Sequence, residues 1–374
     1  MTNPSGSVER LAGLYEQERQ SPWLDNLRRG WITSGELDRW VASGIRGLTS
    51  NPAIFQKAIE GSSDYDPQFS DLIRDGVAVR QAYWNLVISD IEGALKALAP
   101  VYEQSGGVDG FVSVEVDPAL ARDTERTTAD ARALHELINA PNLMVKIPGT
   151  EEGLPSIRTM IGEGRSINVT LIFSVSRYVE VMEAYISGLE DAVASGQEDL
   201  STIASVASFF ISRTDTEVDR RLEEVGSEDA LSLRGKTAVA QAQVAYQRFV
   251  DTFSGPRWDA LSARGAQVQR PLWASTSTKN PSYSQTLYVD ELIGPDTVNT
   301  MPDNTIEAFI EHGSIARTID SDPARAQSIL DAVAATGIDL EVVAHTLEEE
   351  GVAAFVKSFD ELIGSLTAKA DSLR

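Results

Sequence analysis

The fold is decided by residues 110–147, which read GFVSVEVDPALARDTERTTADARALHELINAPNLMVKI. This segment begins with a short apolar strand pattern, Gly110–Val116, and ends with another, Leu143–Ile147. Between them, Asp123–Ile138 places apolar side chains at helical spacing. A strand, a helix and a second strand in this order are typical of a parallel sheet with right-handed crossovers.

The same alternation extends in both directions along the chain. It predicts six more short strands: Trp23–Leu27, Gly47–Thr49, Ile167–Phe173, Thr202–Phe209, Val268–Ala274 and Thr297–Thr300. Eight strand–helix units favour a closed (β/α)8 TIM barrel, an α/β fold, over the alternative of an open doubly wound sheet. Neither GxGxxG nor GxxxxGK(S/T), the phosphate-binding motifs of such open sheets, follows the first strands.

Additional helices are expected around the barrel. Residues 8–20 predict an amphipathic helix, which Ser21-Pro22 is interpreted as ending before the first strand. A helical insertion is predicted at about 56–109, and a helical C-terminal segment at about 305–370. We therefore expect residues 1–374 to form a single barrel domain with these additions.

Composition excludes several classes of function. The chain has 56 Asp and Glu against 32 Lys and Arg, a net charge of −24, which disfavours nucleic acid and anionic lipid as partners. It has no cysteine, and its 3 histidines are scattered, so thiolate chemistry and a metal site are not expected. Without a long apolar run or a signal-peptide pattern at the N-terminus, we expect a cytoplasmic protein that does not contact the membrane.

The most informative single residue is Lys146, a lysine between apolar neighbours in Leu143–Ile147. Burial of an ammonium ion is costly, which favours the neutral amine that attacks a carbonyl to form a Schiff base. The alternatives are a lysine that extends to solvent or one that pairs with a carboxylate. On the strand alone, these interpretations stay open.

Carboxylates on two other strands are candidate acid–base groups. Asp25 lies in the first strand and Glu115 in the third. Schiff-base aldol chemistry moves protons at two places, and two carboxylates in different environments can share that work. The alternatives are a turn cap for Asp25 and an ion pair with the lysine for Glu115. Asp117, just before Pro118, is interpreted as a turn or cap residue.

Polar residues also end the other strands, where a barrel collects its functional groups. Together they suit a polyhydroxylated phosphate ester, since arginine grips phosphate with two N–H groups and lysine acts as a point charge. Taken singly, each is as readily a cap or a surface group. The set is Asn51, Thr170, Ser208 with Arg213, and Ser275 with Ser277 and Lys279.

Seven segments in this order resemble the transaldolase family, and in particular its longer bacterial members. The resemblance spans about residues 20–365. The segments are GLTSNPAIF (47–55), VSVEVDP (112–118), VKIPGT (145–150), INVTLIFS (167–174), SVASFFISR (205–213), WASTSTKNP (273–281) and TVNTMP (297–302).

The resemblance implies a reaction. Sedoheptulose 7-phosphate and glyceraldehyde 3-phosphate would give erythrose 4-phosphate and fructose 6-phosphate, in the pentose phosphate pathway. No metal or organic cofactor is implied, because the protonated imine itself accepts the electron pair. The expected partners are sugar phosphates, and the chain is expected to be a monomer or a homodimer.

The resemblance also implies roles for the site residues. Lys146 would form the Schiff base, Asp25 would act on the hydroxyl whose deprotonation drives C–C cleavage, and Glu115 with Thr170 would hold a proton-carrying water. Asn51 and Ser208 would bind the dihydroxyacetone part, and Arg213 the phosphate. The sequence departs from many shorter members, which carry a second arginine after the seventh strand. Here Ser277 stands in that segment, so Ser275 and Lys279 are expected to share the phosphate.

Two other functions remain open from the sequence. A lysine-dependent aldolase would use the same residues but would let water protonate the enamine instead of an aldehyde trapping it. A non-catalytic barrel would be expected to lose at least one of Lys146, Glu115, Asp25 and Thr170, and all four are present.

Overall fold

Eight parallel strands close into a barrel in the computed structural model, which describes residues 4–373. The strands pair in chain order, and the eighth returns to the first. This confirms the predicted (β/α)8 barrel and excludes the open sheet. The strands are β1 Gln20–Leu24, β2 Leu48–Thr49, β3 Val112–Glu115, β4 Leu143–Pro148, β5 Ile167–Ile172, β6 Ser205–Phe210, β7 Arg270–Ala274 and β8 Thr297–Met301.

Helices surround the barrel, and the predicted insertion and C-terminal segment are both largely helical. The helices are α1 Pro4–Glu18, α2 Arg29–Thr33, α3 Glu36–Ala42, α4 Pro52–Glu60, α5 Asp66–Arg74, α6 Val79–Gln104, α7 Thr124–Ile138, α8 Gly153–Gly162, α9 Val175–Ala194, α10 Ser212–Val225, α11 Glu228–Ser232, α12 Thr237–Thr252, α13 Gly255–Ser262, α14 Leu287–Asp290, α15 Asp303–His312, α16 Pro323–Ala335 and α17 Leu340–Leu373. Two short 3₁₀ turns, Ser63–Tyr65 and Pro118–Leu120, complete the described helical structure.

The predicted position of the first strand was wrong by three residues. Ser21 and Pro22 lie inside β1 and do not break the chain before it. The carbonyl of Pro22 accepts a hydrogen bond from the backbone N–H of Arg46, in the segment that precedes β2. On the side that faces β2, β1 has no paired strand at Pro22. The strand can therefore accommodate a proline, which has no N–H to donate.

Side chains alternate between the barrel interior and the helix layer along each strand. In β3, Val112 and Val114 belong to the apolar core under the helices. Ser113 and Glu115 point the other way, and the Ser113 hydroxyl accepts a hydrogen bond from Nδ2 of Asn168 in β5 at 3.0 Å. This alternation places polar side chains inside the barrel and keeps apolar side chains buried against the surrounding helices.

A buried ion network fills the amino end of the barrel. Asp109 is fully buried and accepts hydrogen bonds from Arg46 at 2.7 Å and Arg270 at 3.0 Å, as well as from Ser21 and Trp23. Burial alone raises the pKa of Asp109, but the two arginines more than offset it and hold the pKa below its usual value. This end of the barrel therefore serves stability and leaves the opposite end for chemistry.

The C-terminal helix α17 lies across the carboxyl end of the barrel. Its Gly351 packs so closely on Leu171 that an added Cβ would stand 2.9 Å from Cδ2 of that leucine. Farther along, Phe359 meets the Tyr83 ring of α6 edge-on at 5.2 Å, so the helix spans from β5 to the inserted helices. Despite its 34 residues, neither α17 nor any other helix in the described chain is apolar enough over a sufficient length to cross a membrane.

Candidate active site

A cavity of about 120 Å³ opens at the carboxyl ends of the strands, the face where (β/α)8 barrels collect catalytic groups. Eight of the nine predicted site residues line this cavity: Asp25, Asn51, Lys146, Thr170, Ser208, Arg213, Ser275 and Lys279. The ninth, Glu115, lies behind Lys146 and lines a smaller adjoining cavity, which it shares with Asn51.

Lys146 points into the barrel because of the register of its strand. It is paired with Glu115 on β3 and with Asn168 on β5, and in-register neighbours on parallel strands project to the same side. Its Nζ lies 3.2 Å from Oε2 of Glu115 and donates a hydrogen bond to the carbonyl of Ser50 at 3.0 Å. The amine is thus buried, at 5% exposure, and fixed by two oxygens at the cavity floor.

Glu115 is a buried carboxyl group in contact with the amine of Lys146. Burial raises its pKa above the ordinary value, the charge of Lys146 and the contact with it lower it in part, and the charge of Asp25 raises it. A buried carboxyl in contact with an amine can therefore take a proton from that amine and return it.

Thr170 ends the regular part of β5, directly before an irregularity. The pairing with β6 shifts between Val169 and Ile172, and Leu171 takes the left-handed backbone conformation at φ 59°. Such a bulge re-aims the side chains around it, and here Leu171 turns towards Gly351 of α17. Within the described residues, the buried hydroxyl of Thr170 has no hydrogen-bond partner, so it remains able to bind a molecule in the cavity.

Asp25 follows the last residue of β1 and does not lie in the strand itself. Its Oδ1 accepts a hydrogen bond from the hydroxyl of Thr49 at 2.7 Å, and that hydroxyl lies 2.7 Å from the hydroxyl of Thr300. Burial raises the pKa of Asp25, while the Thr49 hydrogen bond and the cations of the cavity lower it in part. Within residues 4–373, no group of three or more His, Asp or Glu side chains is arranged to hold a metal ion.

Asn51 and Ser208 are held by hydrogen bonds that fix their orientation. Oδ1 of Asn51 caps α4 by accepting the N–H of Ile54 at 3.0 Å, which turns the amide nitrogen to donate elsewhere. The hydroxyl of Ser208 donates to Oδ1 of Asn168 at 2.8 Å. Two polar groups therefore face the cavity in defined positions.

Arg213 lies in the first turn of α10, between two aromatic rings. Its guanidinium carbon is 5.1 Å from the centre of the Phe210 ring and 5.9 Å from that of Phe355 on α17. Burial lowers the pKa of Arg213, and Asp25 and Glu115 oppose that shift. An arginine keeps its charge under such a shift, so the cavity carries a fixed cation.

The segment after β7 brings further polar groups. Ser275 has a left-handed backbone at φ 56°, and its hydroxyl lies 2.9 Å from that of Ser212. Lys279 stands at the rim, where loss of hydration lowers its pKa and the cations Arg213 and Lys57 lower it further. Although the chain has a net charge of −24, the cations Arg213, Lys57 and Lys279 are close enough here to interact, and together they can hold an anion.

Several lining residues escaped the sequence analysis. Thr49 and Thr300 are at strand ends and follow the same positional rule as the residues that were selected. Phe210 and Phe355 were missed because an aromatic residue is usually read as core. Phe355 carried no local signal, since it enters the site from a helix whose docking position the sequence does not specify. These residues line the cavity with Ala274 and Pro302, and with Ser277, which the sequence analysis had named beside Ser275 and Lys279.

The chain matches known proteins over nearly its whole length. Residues 22–366 match the family model described as Transaldolase/Fructose-6-phosphate aldolase. A protein from Thermobifida fusca named Transaldolase is 52% identical over 343 residues, which cover 91% of this chain and 93% of that protein.

Two further relatives give the same result. A Transaldolase from Mycobacterium leprae is 49% identical over 99% of this chain and 98% of its own length. A Transaldolase 1 from Streptomyces avermitilis is 49% identical over 100% of this chain and 98% of its own.

Proposed function

Because the chain belongs to the transaldolase/fructose-6-phosphate aldolase family, we propose that its cavity moves a dihydroxyacetone unit between sugar phosphates through a Schiff base on Lys146. The donor is sedoheptulose 7-phosphate and the acceptor glyceraldehyde 3-phosphate. The products are erythrose 4-phosphate and fructose 6-phosphate, a reversible exchange of the pentose phosphate pathway. The chain is thus an enzyme, a transferase that acts on sugar phosphates.

The observation that carries the proposal is the position of the Lys146 amine. It is buried on the floor of the cavity, 3.2 Å from the carboxyl group of Glu115, whose pKa is raised by burial. When Glu115 takes the proton, the neutral Nζ adds to the C2 carbonyl of the ketose, and loss of water gives a protonated imine.

We assign the proton transfers of imine formation to Glu115 and Thr170. Both are buried, and both keep an oxygen without an aligned hydrogen bond among the described residues. A water bound between them can carry protons to and from the carbinolamine oxygen, which must leave as water. The same route runs in reverse when the imine is hydrolysed.

We assign the carbon–carbon bond to Asp25. The carboxylate removes the proton of the C4 hydroxyl, the C3–C4 bond breaks, and its electron pair moves to the protonated imine. The leaving fragment departs as an aldehyde and an enamine remains on Lys146. When the acceptor aldehyde binds, the enamine carbon attacks it and Asp25 returns the proton to the new hydroxyl, so no cofactor is required.

The other site residues hold the substrate. Asn51 presents its amide N–H groups to the hydroxyl groups of the dihydroxyacetone part, and the oxygen of Ser208, whose hydrogen is donated to Asn168, accepts a hydrogen bond from them. Arg213 binds the phosphate with two N–H groups, and Ser275 and Lys279 complete that grip from the segment after β7.

The test is a transfer assay. The purified chain receives fructose 6-phosphate alone or with erythrose 4-phosphate, and sedoheptulose 7-phosphate formation is followed by mass spectrometry. We expect rapid sugar exchange only with the acceptor. Rapid release of free dihydroxyacetone from fructose 6-phosphate alone would instead identify a Schiff-base aldolase, and no turnover in either mixture would contradict both.

We also propose that residues 1–374 form one barrel domain, that the protein acts in the cytoplasm, and that it is a monomer or a homodimer. Light scattering on the purified protein distinguishes the two assembly states.

A further inference from the structure

Residues 275–290, the segment after β7 that carries Lys279, are hydrogen-bonded to α10, the helix that carries Arg213. Two tyrosines near the end of this segment donate hydrogen bonds to two carboxylates on that helix. The hydroxyl of Tyr283 lies 2.6 Å from Oδ2 of Asp219, and that of Tyr288 lies 2.8 Å from Oδ2 of Asp215. The carboxylates are four residues apart and so lie on the same face of the helix.

Each carboxylate is itself held by a backbone N–H. Oδ1 of Asp219 accepts from the N–H of Gly235 at 2.9 Å, and Oδ1 of Asp215 accepts from the N–H of Ala238 at 2.7 Å. Both oxygens of each group are therefore in use, which gives the tyrosines acceptors of fixed position.

The Tyr283 ring lies directly on Gly235. That glycine has φ +70°, and a Cβ built on it would stand 2.7 Å from Cζ of the ring. Any other residue would therefore be strained in its backbone and would displace the tyrosine. The seat for this ring is thus made jointly by Gly235 and Asp219.

Between Lys279 and Tyr283 the chain forms a tight turn. The hydroxyl of Thr278 donates to the carbonyl of Ser284 at 2.9 Å. Asn280 accepts from Ser282 through its side chain at 3.0 Å and from Tyr283 through its backbone at 3.1 Å. These hydrogen bonds fix the short stretch of chain that joins Lys279 to Tyr283.

We propose that Tyr283 and Asp219 act as a latch that positions Lys279 beside Arg213, and so determine how tightly the site binds the phosphate group of its substrates. This inference rests on the proposed function, in which Lys279 binds phosphate. A lysine needs such a support because its long stem has four rotatable bonds, whereas an arginine presents a pre-organised fork. Tyr283 is a positioning residue and does not touch the substrate.

The experiment compares Tyr283→Phe with the wild type, using fructose 6-phosphate and phosphate-free fructose as donors and erythrose 4-phosphate as acceptor. We expect KM for fructose 6-phosphate to rise about tenfold, equivalent to about 1.4 kcal/mol. The kcat should stay within about twofold, and kcat/KM for fructose should not change, because fructose has no phosphate to bind. Asp219→Asn is expected to reproduce the rise.

The matched control is Tyr246→Phe. Tyr246 is buried and, like Tyr283, donates one hydrogen bond through its hydroxyl, at 3.2 Å to the carbonyl of Pro295, but it does not line the cavity. Its KM for fructose 6-phosphate should equal that of the wild type. Thermal melting of all variants establishes that they are folded.

The decisive comparison repeats Tyr283→Phe in a Lys279→Met background. If the latch acts through Lys279, the tyrosine substitution raises KM no further there. A full tenfold rise in that background, or an equal loss with fructose, would overturn the latch. If Lys279→Met raises KM but Tyr283→Phe does not, the latch also fails while the phosphate role of Lys279 stands. If Lys279→Met leaves KM unchanged, that role in the proposed function fails and the latch fails with it.

Discussion

The Nζ atom of Lys146 lies 3.2 Å from Oε2 of Glu115, and the two residues are register partners on adjacent strands. The β3–β4 pairing therefore brings the proposed nucleophile and its proton acceptor together before any substrate binds. Removing Lys146 should have a different effect from removing Glu115, because Lys146 makes the covalent bond and Glu115 moves protons.

Glu115→Gln keeps the shape of the side chain but removes its ability to accept a proton. We expect kcat to fall by roughly 10²–10⁴, the usual contribution of a general acid–base group. Rapid-quench kinetics should show slow imine formation on an intact Lys146. An unchanged rate of imine formation would contradict the role assigned to Glu115.

Asp25→Asn should stop the reaction at a later step. We expect kcat to fall by roughly 10²–10⁴, while the imine still forms because Asp25 acts only on the C4 hydroxyl. Borohydride reduction in the presence of fructose 6-phosphate should then leave the intact six-carbon sugar phosphate on Lys146. Recovery of only a three-carbon adduct would show that cleavage does not need Asp25.

Phe355→Ala opens the cavity towards α17 and removes one of the two rings beside Arg213. Water should then reach the enamine, so fructose 6-phosphate should be consumed faster without an acceptor than by the wild type. The substitution should also lower the free energy of unfolding by about 3–5 kcal/mol, as for other buried phenylalanines.

Leu362→Ala separates the two effects of that substitution. Leu362 is buried on the same helix but belongs to the core outside the cavity. Its loss should cost about 2–5 kcal/mol of stability without acceptor-free turnover. Equal acceptor-free turnover in both variants would mean that general loosening of α17, and not the missing ring, admits water.

Asp215 makes the stability of the protein depend on pH. Burial raises its pKa from 3.8 to about 6, although hydrogen bonds from Ala238 and Tyr288 oppose the shift. A carboxyl whose pKa is higher in the folded state stabilises that state while it is protonated. Its contribution is complete below pH 4 and is lost as the pH rises through about 6.

The measurement is urea unfolding of the wild type and Asp215→Asn between pH 4 and pH 7. Relative to the variant, the wild type should lose up to about 3 kcal/mol over this range, at about 1.4 kcal/mol for each unit of pKa shift. A difference that stays constant with pH would place the pKa of Asp215 near that of an exposed carboxyl.

Much of the fold follows from the sequence because strand and helix patterns alternate strictly around the barrel. The first strand was predicted three residues too late because Pro22 was interpreted as a break in the chain. Only the strand pairing shows that Pro22 lies beside the segment that precedes β2, where β1 has no paired strand. The bulge at Leu171 could not be predicted from the sequence, because leucine has no local preference for the left-handed conformation that it adopts here beside Gly351 of α17.

Site residues could be predicted from the sequence where the neighbouring residues themselves indicate a role. Lys146 stands out as a charge in an apolar strand, and the polar strand ends follow from barrel geometry. The contribution of Phe355 and the support of Lys279 by Tyr283 depend on how distant segments dock. Tertiary packing determines how these segments dock, and the spacing of apolar residues along the sequence does not predict it.

The central claim is a covalent imine on Lys146, and the most direct test is to trap it. The wild type and Lys146→Arg are incubated with fructose 6-phosphate, reduced with borohydride and mapped by mass spectrometry. We expect a reduced dihydroxyacetone unit on Lys146 of the wild type and no adduct in the variant. An adduct on another lysine, or none at all, would contradict the mechanism proposed for this cavity.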